Sequence, residues 1–263
     1  MDDMTGTRDR PAGDAGAVAA DAGFDQLRAL RPLLEDVVAL KRVVQAGRSV
    51  SERGFASGWR ALAAGRDPGE VALRDTRAAV AACVLGPIDR PALEALGLSG
   101  DESRQVFDRA IRERLAALDP VLRDRLEAPL LDAGAARDDD PETGIPGVVE
   151  RLAARPRAGP TYPGIPRLGI PPTENHAEHC WSVAAMACLV LLAGGAADRV
   201  LLGRAYLMGM AHHFHNAWLP DGGFTAEMAI GDHLDAVLAT GRARGLAMLE
   251  GGLAADTTAA LAD

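Results

Sequence analysis

Histidine is absent from the first 175 residues of this 263-residue chain, and lysine is nearly absent from all of it. Lys41 is the one lysine, so arginine supplies nearly every positive charge, and Schiff-base chemistry through lysine is disfavoured. Acidic residues outnumber basic ones by 37 to 28, which gives a formal net charge of −9. That charge argues against general affinity for nucleic acid or for an anionic membrane surface. We therefore expect a small-molecule substrate rather than either of those partners.

Cysteine is scarce as well, with three residues and no CxxC pair. An odd, widely spaced set favours buried thiols in a reducing compartment over a disulfide framework. The acidic, Ala/Gly-rich N-terminus lacks the apolar stretch of a signal peptide. The longest apolar run, residues 183–197, is too short to span a bilayer comfortably and predicts a buried core helix. The expectation is a cytoplasmic protein.

Composition divides the chain into four parts. Residues 1–22 have almost no large apolar side chain, which predicts disorder, whereas residues 23–154 carry apolar residues at helical spacing. Residues 155–173 contain six prolines and predict an extended connector, and residues 174–263 carry all the histidines. Nothing in residues 23–154 alternates with period two, so we predict an all-α fold without a sheet. The N-terminal helices are an accessory layer or a homo-oligomer interface in this interpretation.

Apolar periodicity and Gly/Pro punctuation predict individual helices in both parts of the chain. In the accessory region they follow a first helix that starts near Phe24, and they cover about 55–64, 70–85, 91–96, 101–118, 121–132 and 147–154. In the last third they cover His176–Leu192, Ala197–Phe214 and a stretch that starts at Phe224.

The six histidines all lie within a 58-residue window, namely His176, His179, His212, His213, His215 and His233. Histidine is the commonest metal ligand and the usual acid or base near neutral pH, so this window is the predicted chemical site. His176 and His179 share the first turn of a helix that Asn175 and Glu178 begin with a capping box. There the positive end of the helix dipole favours the neutral imidazole that binds metal.

The second helix of this region ends in Ala-His-His-Phe-His-Asn, residues 211–216. On an α-helix His212 and His215 share a face, while His213 points about 100° around it. The next helix carries Glu227, Asp232, His233 and Asp235. Several imidazoles and carboxylates at neighbouring helix ends suit zinc, iron, manganese, cobalt or nickel.

These helices resemble those of the HD-domain metal-dependent phosphohydrolases. The stretch His179–Ala187 (HCWSVAAMA) is similar to the family's "HSxxVAxxA", and Leu207–Asn216 (LMGMAHHFHN) is similar to "LLAALLHDIGK". The two histidines are 33 residues apart, which suits that pattern. Gly223–Glu227 (GFTAE) resembles the "GHxGE" segment of the deoxynucleotide-triphosphohydrolase branch, with Phe224 in place of its histidine. The resemblance covers residues 174–240.

The resemblance implies an all-α, HD-like helical core whose metal ligands are His179, His212, His213 in place of the family's aspartate, and Asp232, with Asp235 as second choice. Imidazole offers one lone pair and cannot bridge two metals as a carboxylate does, so one divalent metal per chain is expected.

Proton transfer in such a site falls to Glu227 or His215, and His176 steadies the phosphate. The implied activity is hydrolysis of a phosphate ester or nucleotide-type small molecule. Arginines, the usual phosphate clamps, are absent from the histidine-rich turns. Two alternatives stay open: an HD-type iron oxygenase, and a degenerate HD-like module that binds without catalysis.

Overall fold

The chain is described by a computed structural model over residues 13–133, 144–157, 174–196 and 198–249, together with residues 259 and 261. The prediction of an all-α fold is confirmed, because helices account for most of these residues. The helices are α1 (Gly13–Ala39), α2 (Val50–Ala63), α3 (Pro68–Leu85), α4 (Arg90–Ala95), α5 (Gly100–Leu115), α6 (Pro120–Asp132), α7 (Gly147–Ala153), α8 (His176–Ala193), α9 (Arg199–Ala211), α10 (Gly223–Ile230) and α11 (Leu234–Ala247).

Local side-chain chemistry explains where most of these helices begin. A short polar residue precedes the start of seven helices and accepts a hydrogen bond from a backbone N–H of the first turn, which would otherwise lack a partner inside the helix. These capping residues are Ser49, Asp67, Asp89, Ser99, Asp119, Asn175 and Asp198. The predicted capping box of α8 is present, with Asn175 and Glu178 each accepting from the other's backbone N–H at 2.9 Å.

Two features near the N-terminus differ from the sequence prediction. Helix α1 begins at Gly13, so residues 13–22, expected to be disordered, form its first turns; alanine, the strongest helix former, makes up much of them. Residues 1–12 of that segment lie outside the described residues. A two-stranded antiparallel hairpin, Val44–Gln45 with Arg48–Ser49, interrupts the helices where no sheet was expected. Its two-residue turn holds Ala46 and Gly47 at positive φ, a short-range signal that apolar periodicity does not detect.

The core joins the two regions that composition separates. Leu33, Phe55 and Ile111 from the first half are fully buried in the same cluster as Trp181 and Tyr206 from the histidine-bearing third. Helix α3 packs against α9, and α2 packs against α8. The helices of residues 23–154 therefore share one hydrophobic core with α8 and α9 and do not form a separate layer.

Small residues bring the central helices unusually close together. A Cβ added at Gly209 of α9 would lie 2.5 Å from the Cα of Ala184 on α8. A Cβ at Gly203 would lie 2.8 Å from the backbone nitrogen of Gly69 on α3, so α9 also approaches α3 backbone to backbone. Helices in such contact have little freedom to slide or separate, because interiors are close-packed. Gly209 therefore sets the distance between α8, which carries His176 and His179, and α9, which ends just before His212.

A buried carboxylate joins α3, α8 and α9. Asp75 is 3% exposed and accepts hydrogen bonds from Nε1 of Trp181 at 3.1 Å and from the hydroxyl of Tyr206. Arg74 pairs with the same carboxylate at 2.8 Å. Burial and the adjacent Asp75 raise the pKa of Tyr206, so its phenol keeps the proton that it donates. A buried charge with this many partners is satisfied in place and specifies how the helices meet.

Helix α8 is long and apolar enough to cross a membrane by length and composition, but 67% of that window is buried inside the protein. This agrees with the prediction of a core helix for residues 183–197, of which 197 lies outside the described residues.

Candidate metal centre

Two helix ends bring the histidines together. His176 and His179 occupy the first turn of α8, while α9 ends at Ala211 and leaves His212 and His213 in the following turn. His215 lies in a short 3₁₀ turn, Phe214–Ala217. The sequence predicts an α-helix through Phe214, which would point His213 away from His212. Because the helix ends earlier, the two rings lie side by side, with centroids 4.2 Å apart.

Three of these side chains form a candidate ligand set. His179, His212 and His213 each offer one ring nitrogen, and the three nitrogens lie within 4.8 Å of one another. The ring of His179 is 5.2 Å from that of His212 and 5.1 Å from that of His213, centroid to centroid. His176 and His215 flank the set, with ring centroids 5.0 and 5.5 Å from that of His213. The structure thus assembles the three imidazoles that the sequence singles out as ligands.

Hydrogen bonds to oxygen fix two of the three rings in the tautomer that a metal requires. Nδ1 of His212 donates to the carbonyl of Gly209 at 2.7 Å. Nδ1 of His213 donates to the amide oxygen of Asn216 at 2.8 Å, and Asn216 is oriented by its own amide N–H, which donates to the Leu219 carbonyl at 3.1 Å. Both rings therefore carry the proton on Nδ1 and keep the lone pair of Nε2 for a ligand.

The third ring has a different partner. Nη1 of Arg157 donates to Nδ1 of His179 at 3.0 Å and pairs with the carboxylate of Glu174 at 3.1 Å. Oε1 of Glu174 also pairs with Lys41 at 3.3 Å, and the same oxygen lies 3.9 Å from Nδ1 of His179. The two ends of the connector meet to build this arrangement, since the backbone N–H of Arg157 donates to the Glu174 carbonyl at 2.8 Å.

Burial keeps the imidazoles neutral. Desolvation, strengthened by Arg157 and by neighbouring histidines, lowers the pKa of His179 to about 3 and that of His176 to about 4. Desolvation and the His212 ring lower the pKa of His213 to about 3. The pKa values of His212 and His215 are also lowered, chiefly by burial. Neutral imidazole is the form that binds metal, so the cluster needs no proton release to accept one near neutral pH.

His176 is fully buried, yet neither of its ring nitrogens has a hydrogen-bond partner among the described residues. Buried polar atoms are nearly always satisfied, so the unpaired imidazole, whose ring centroid is 5.0 Å from that of His213, is open to a partner that the described residues do not supply. The negative charge of Asp221 raises the pKa values of both His176 and His215, which opposes the effect of burial. Sequence reasoning missed Asp221; the turn Pro220–Gly222 that follows the histidines was the available signal.

The carboxylates predicted from the sequence lie elsewhere. Gly231 adopts a positive φ of 58° and breaks the expected third helix into α10 and α11. Asp232 and Asp235 are exposed beyond that break, and neither belongs to the ligand set. Glu227, predicted to transfer protons, is exposed on α10. His233 is exposed as well.

Cys180 follows His179 but takes no part, because burial raises the pKa of its thiol to about 12. A neutral thiol in the apolar core is a poor metal ligand.

A pocket of about 550 Å³ opens beside the cluster and is lined by Arg151, Ala154, Arg155, Pro156, Arg157, Pro220 and Asp221. The sequence places no arginine in the histidine-rich turns, but the structure brings three to this pocket, Arg151 from α7 and Arg155 and Arg157 from the start of the connector. Arginine forks match phosphate and carboxylate oxygens, so the pocket suits an anionic ligand. Residues 158–173 of the connector lie outside the described residues.

No family model matches the chain, and neither does a curated protein or a solved structure. The resemblance to HD domains thus stays a prediction from the sequence.

Proposed function

We propose that the chain is a divergent HD-like, metal-dependent hydrolase that acts on a phosphate ester or nucleotide-type small molecule. It binds one divalent transition metal through His179, His212 and His213. The observation that carries the proposal is the convergence of three neutral imidazoles, two of them held in the metal-binding tautomer by Gly209 and Asn216. A set of three imidazoles with open positions is typical of catalytic rather than structural metal sites, and it suits zinc, manganese, iron, cobalt or nickel.

When bound, the metal would lower the pKa of a water molecule and polarise a phosphoryl oxygen. The chain supplies the rest of the chemistry. Arg155 and Arg157 line the pocket beside the cluster and bind the anionic part of the substrate. His215 is a neutral, half-buried base whose ring can take up a proton, and the nearby Asp221 favours its charged form. His176 donates to or accepts from the substrate through ring nitrogens that have no hydrogen-bond partner in the described part of the chain.

The hydrolase is preferred over an HD-type iron oxygenase with two metals because His213 stands in place of the family's bridging aspartate, and an imidazole cannot bridge two metals. It is preferred over a binding module without catalysis because the pocket adjoins the cluster. The three free cysteines favour a reducing, cytoplasmic setting for this activity.

Metal content is the first test. The wild-type protein, purified without added metal, is analysed by elemental mass spectrometry beside His179→Ala, His212→Ala and the control His233→Ala, whose side chain is exposed. The proposal expects about one transition metal per chain in the wild type and in the control, and loss of the metal in both ligand variants. Metal-free wild-type protein that takes up no added metal would favour the binding module.

Activity is then assayed with phosphomonoesters and nucleotides in the presence of Mn²⁺, Co²⁺, Ni²⁺ or Zn²⁺. The proposal expects phosphate release that depends on the metal and on His179. Bound iron with oxygen consumption and no phosphate release would select the oxygenase instead.

A further inference from the structure

Arg157 occupies a nitrogen that metal binding needs. A guanidinium carries only donors, so its contact with His179 at 3.0 Å requires a lone pair on Nδ1. A neutral imidazole has one lone pair and one N–H, which places the proton of His179 on Nε2. His212 and His213 hold their protons on Nδ1. The ring that Arg157 contacts is therefore the one member of the ligand set in the opposite tautomer.

The contact cannot survive metal binding through either nitrogen. If the metal takes Nδ1 of His179, it takes the same lone pair that Arg157 uses. If the metal takes Nε2, the proton moves to Nδ1, and two N–H donors then face each other across 3.0 Å. An acceptor for that N–H is already close, since the Glu174 carboxylate lies 3.9 Å from Nδ1. A carboxylate behind a metal-bound histidine is the usual outer partner of such a ligand.

A guanidinium displaced from His179 can turn into the neighbouring pocket. Arg157 already lines this 550 Å³ pocket, together with Arg155 and Arg151. Its Nε is buried without a hydrogen-bond partner among the described residues, so the guanidinium is not fully satisfied where it stands. A tetrahedral oxyanion in the pocket would accept from two guanidinium N–H groups at once.

We propose that Arg157 exchanges between His179 in the metal-free site and a phosphate-type anion in the metal-loaded site. The inference rests on the proposed metal site. With a metal on Nε2, the proton of His179 would move to Nδ1 and donate a hydrogen bond to Glu174, which would release Arg157 to the pocket, and the anion would in turn hold Arg157 away from His179. Metal and anion consequently favour each other's binding, as linkage requires.

The test compares Arg157→Met with Arg155→Met. Both variants remove one positive charge from the same pocket wall, but only Arg157 contacts a histidine ring in the described structure. Zinc affinity of the metal-free proteins is measured against a competing chelator. Arg157→Met is expected to bind zinc about tenfold tighter, because a charge-assisted hydrogen bond no longer has to break. Arg155→Met is expected to change zinc affinity only slightly. Equal effects of the two variants would overturn the exchange.

Wild-type protein supplies a second readout that needs no variant. The ¹⁵N chemical shifts of the histidine side chains distinguish the two tautomers. The proton of His179 is expected on Nε2 without metal and on Nδ1, facing Glu174, once zinc is bound to Nε2. A metal-free His179 that already carries its proton on Nδ1 would overturn the proposal, even if Arg157→Met fails to fold.

Inorganic phosphate probes the other half of the exchange. Arg157→Met is expected to weaken phosphate binding to the zinc-loaded protein while leaving the metal-free protein unaffected; Arg155→Met should weaken both. If Arg157→Met lost phosphate affinity equally in the zinc-loaded and the metal-free protein, Arg157 would bind phosphate in both states, and no exchange with His179 would occur. Wild-type protein that binds neither zinc nor any of the other candidate metals would refute the proposed function itself, a separate outcome from zinc binding in which Arg157 has no effect.

Discussion

The amide oxygen of Asn216 accepts the Nδ1–H of His213 at 2.8 Å, and this one contact decides which nitrogen of His213 is free. Asn216 is 5% exposed and cannot turn over, because its N–H donates to the carbonyl of Leu219. The orientation of a candidate ligand is thereby fixed by a residue three positions along the chain.

Replacing Asn216 tests this relationship. Asn216→Ala is expected to weaken metal binding about 10- to 100-fold, the usual cost of losing the outer partner of a metal-bound histidine. Asn216→Asp keeps an oxygen acceptor for the Nδ1–H and should restore most of the affinity. Metal titration with a chromophoric chelator measures both. Equal affinity of Asn216→Ala and the wild type would show that His213 needs no such support.

Stability of the metal-free protein should fall as the pH is lowered from 6.5 towards 4. Unfolded histidines take up protons below about 6.5. In the folded protein the pKa of His176 is about 4 and that of His179 and His213 is about 3, so the folded state excludes those protons. Because the unfolded state binds more protons, the free energy of unfolding is expected to drop by about 1.4 kcal/mol per pH unit for each such histidine.

Urea unfolding at several pH values measures the slope. His179→Gln removes one of these partly buried imidazoles and should make the slope shallower. An unchanged slope in that variant would show that His179 is not kept neutral by the fold.

Gly209→Ala should disturb both the fold and the site. The added Cβ would lie 2.5 Å from the Cα of Ala184, a backbone atom that cannot move aside. Forcing α8 and α9 apart is expected to cost about 1–3 kcal/mol and to separate His179 from His212, which lowers metal affinity. Gly144→Ala is the matched control, since a Cβ there meets nothing within 4 Å. Thermal unfolding and metal titration of the two variants check the expectation, and similar behaviour would contradict it.

Asp75→Ala should be among the most destabilising single changes in the chain. It leaves Trp181, Tyr206 and Arg74 without their buried acceptor, which typically costs about 3–5 kcal/mol. Asp101→Ala breaks an exposed pair with Arg104 and should cost at most about 1 kcal/mol. Chemical denaturation gives both values. A loss below about 1 kcal/mol for Asp75→Ala would show that the network is not holding the helices.

Local patterns were sufficient for most of the helices. The capping box at Asn175 and the apolar periodicity located α8, and the resemblance to HD domains named His179, His212 and His213 as ligands. The structure brings these three side chains together, and for His213 it is the end of α9 at Ala211, not a helical face, that places the ring beside that of His212.

The rest of the site depends on contacts that no local pattern encodes. Arg157 and Glu174 are 17 positions apart and meet only because the ends of the connector pair. Asp232 has the right chemistry, but it is exposed just after Gly231, whose positive φ ends α10. Contacts between residues this far apart in sequence depend on how the helices pack, which no short stretch of sequence determines.

The union of the two regions in one core has a consequence for protein engineering. The segment 174–263 is not a portable module that can be grafted onto another scaffold. Cut from the helices before it, it would uncover Trp181 and Tyr206 and strip both of the Asp75 carboxylate. It would also lose Arg157, the one guanidinium hydrogen-bonded to a ring of the ligand set among the described residues. The histidines supply the chemistry, but the helices of the histidine-free first half hold α8 and α9 in the positions that bring the rings together.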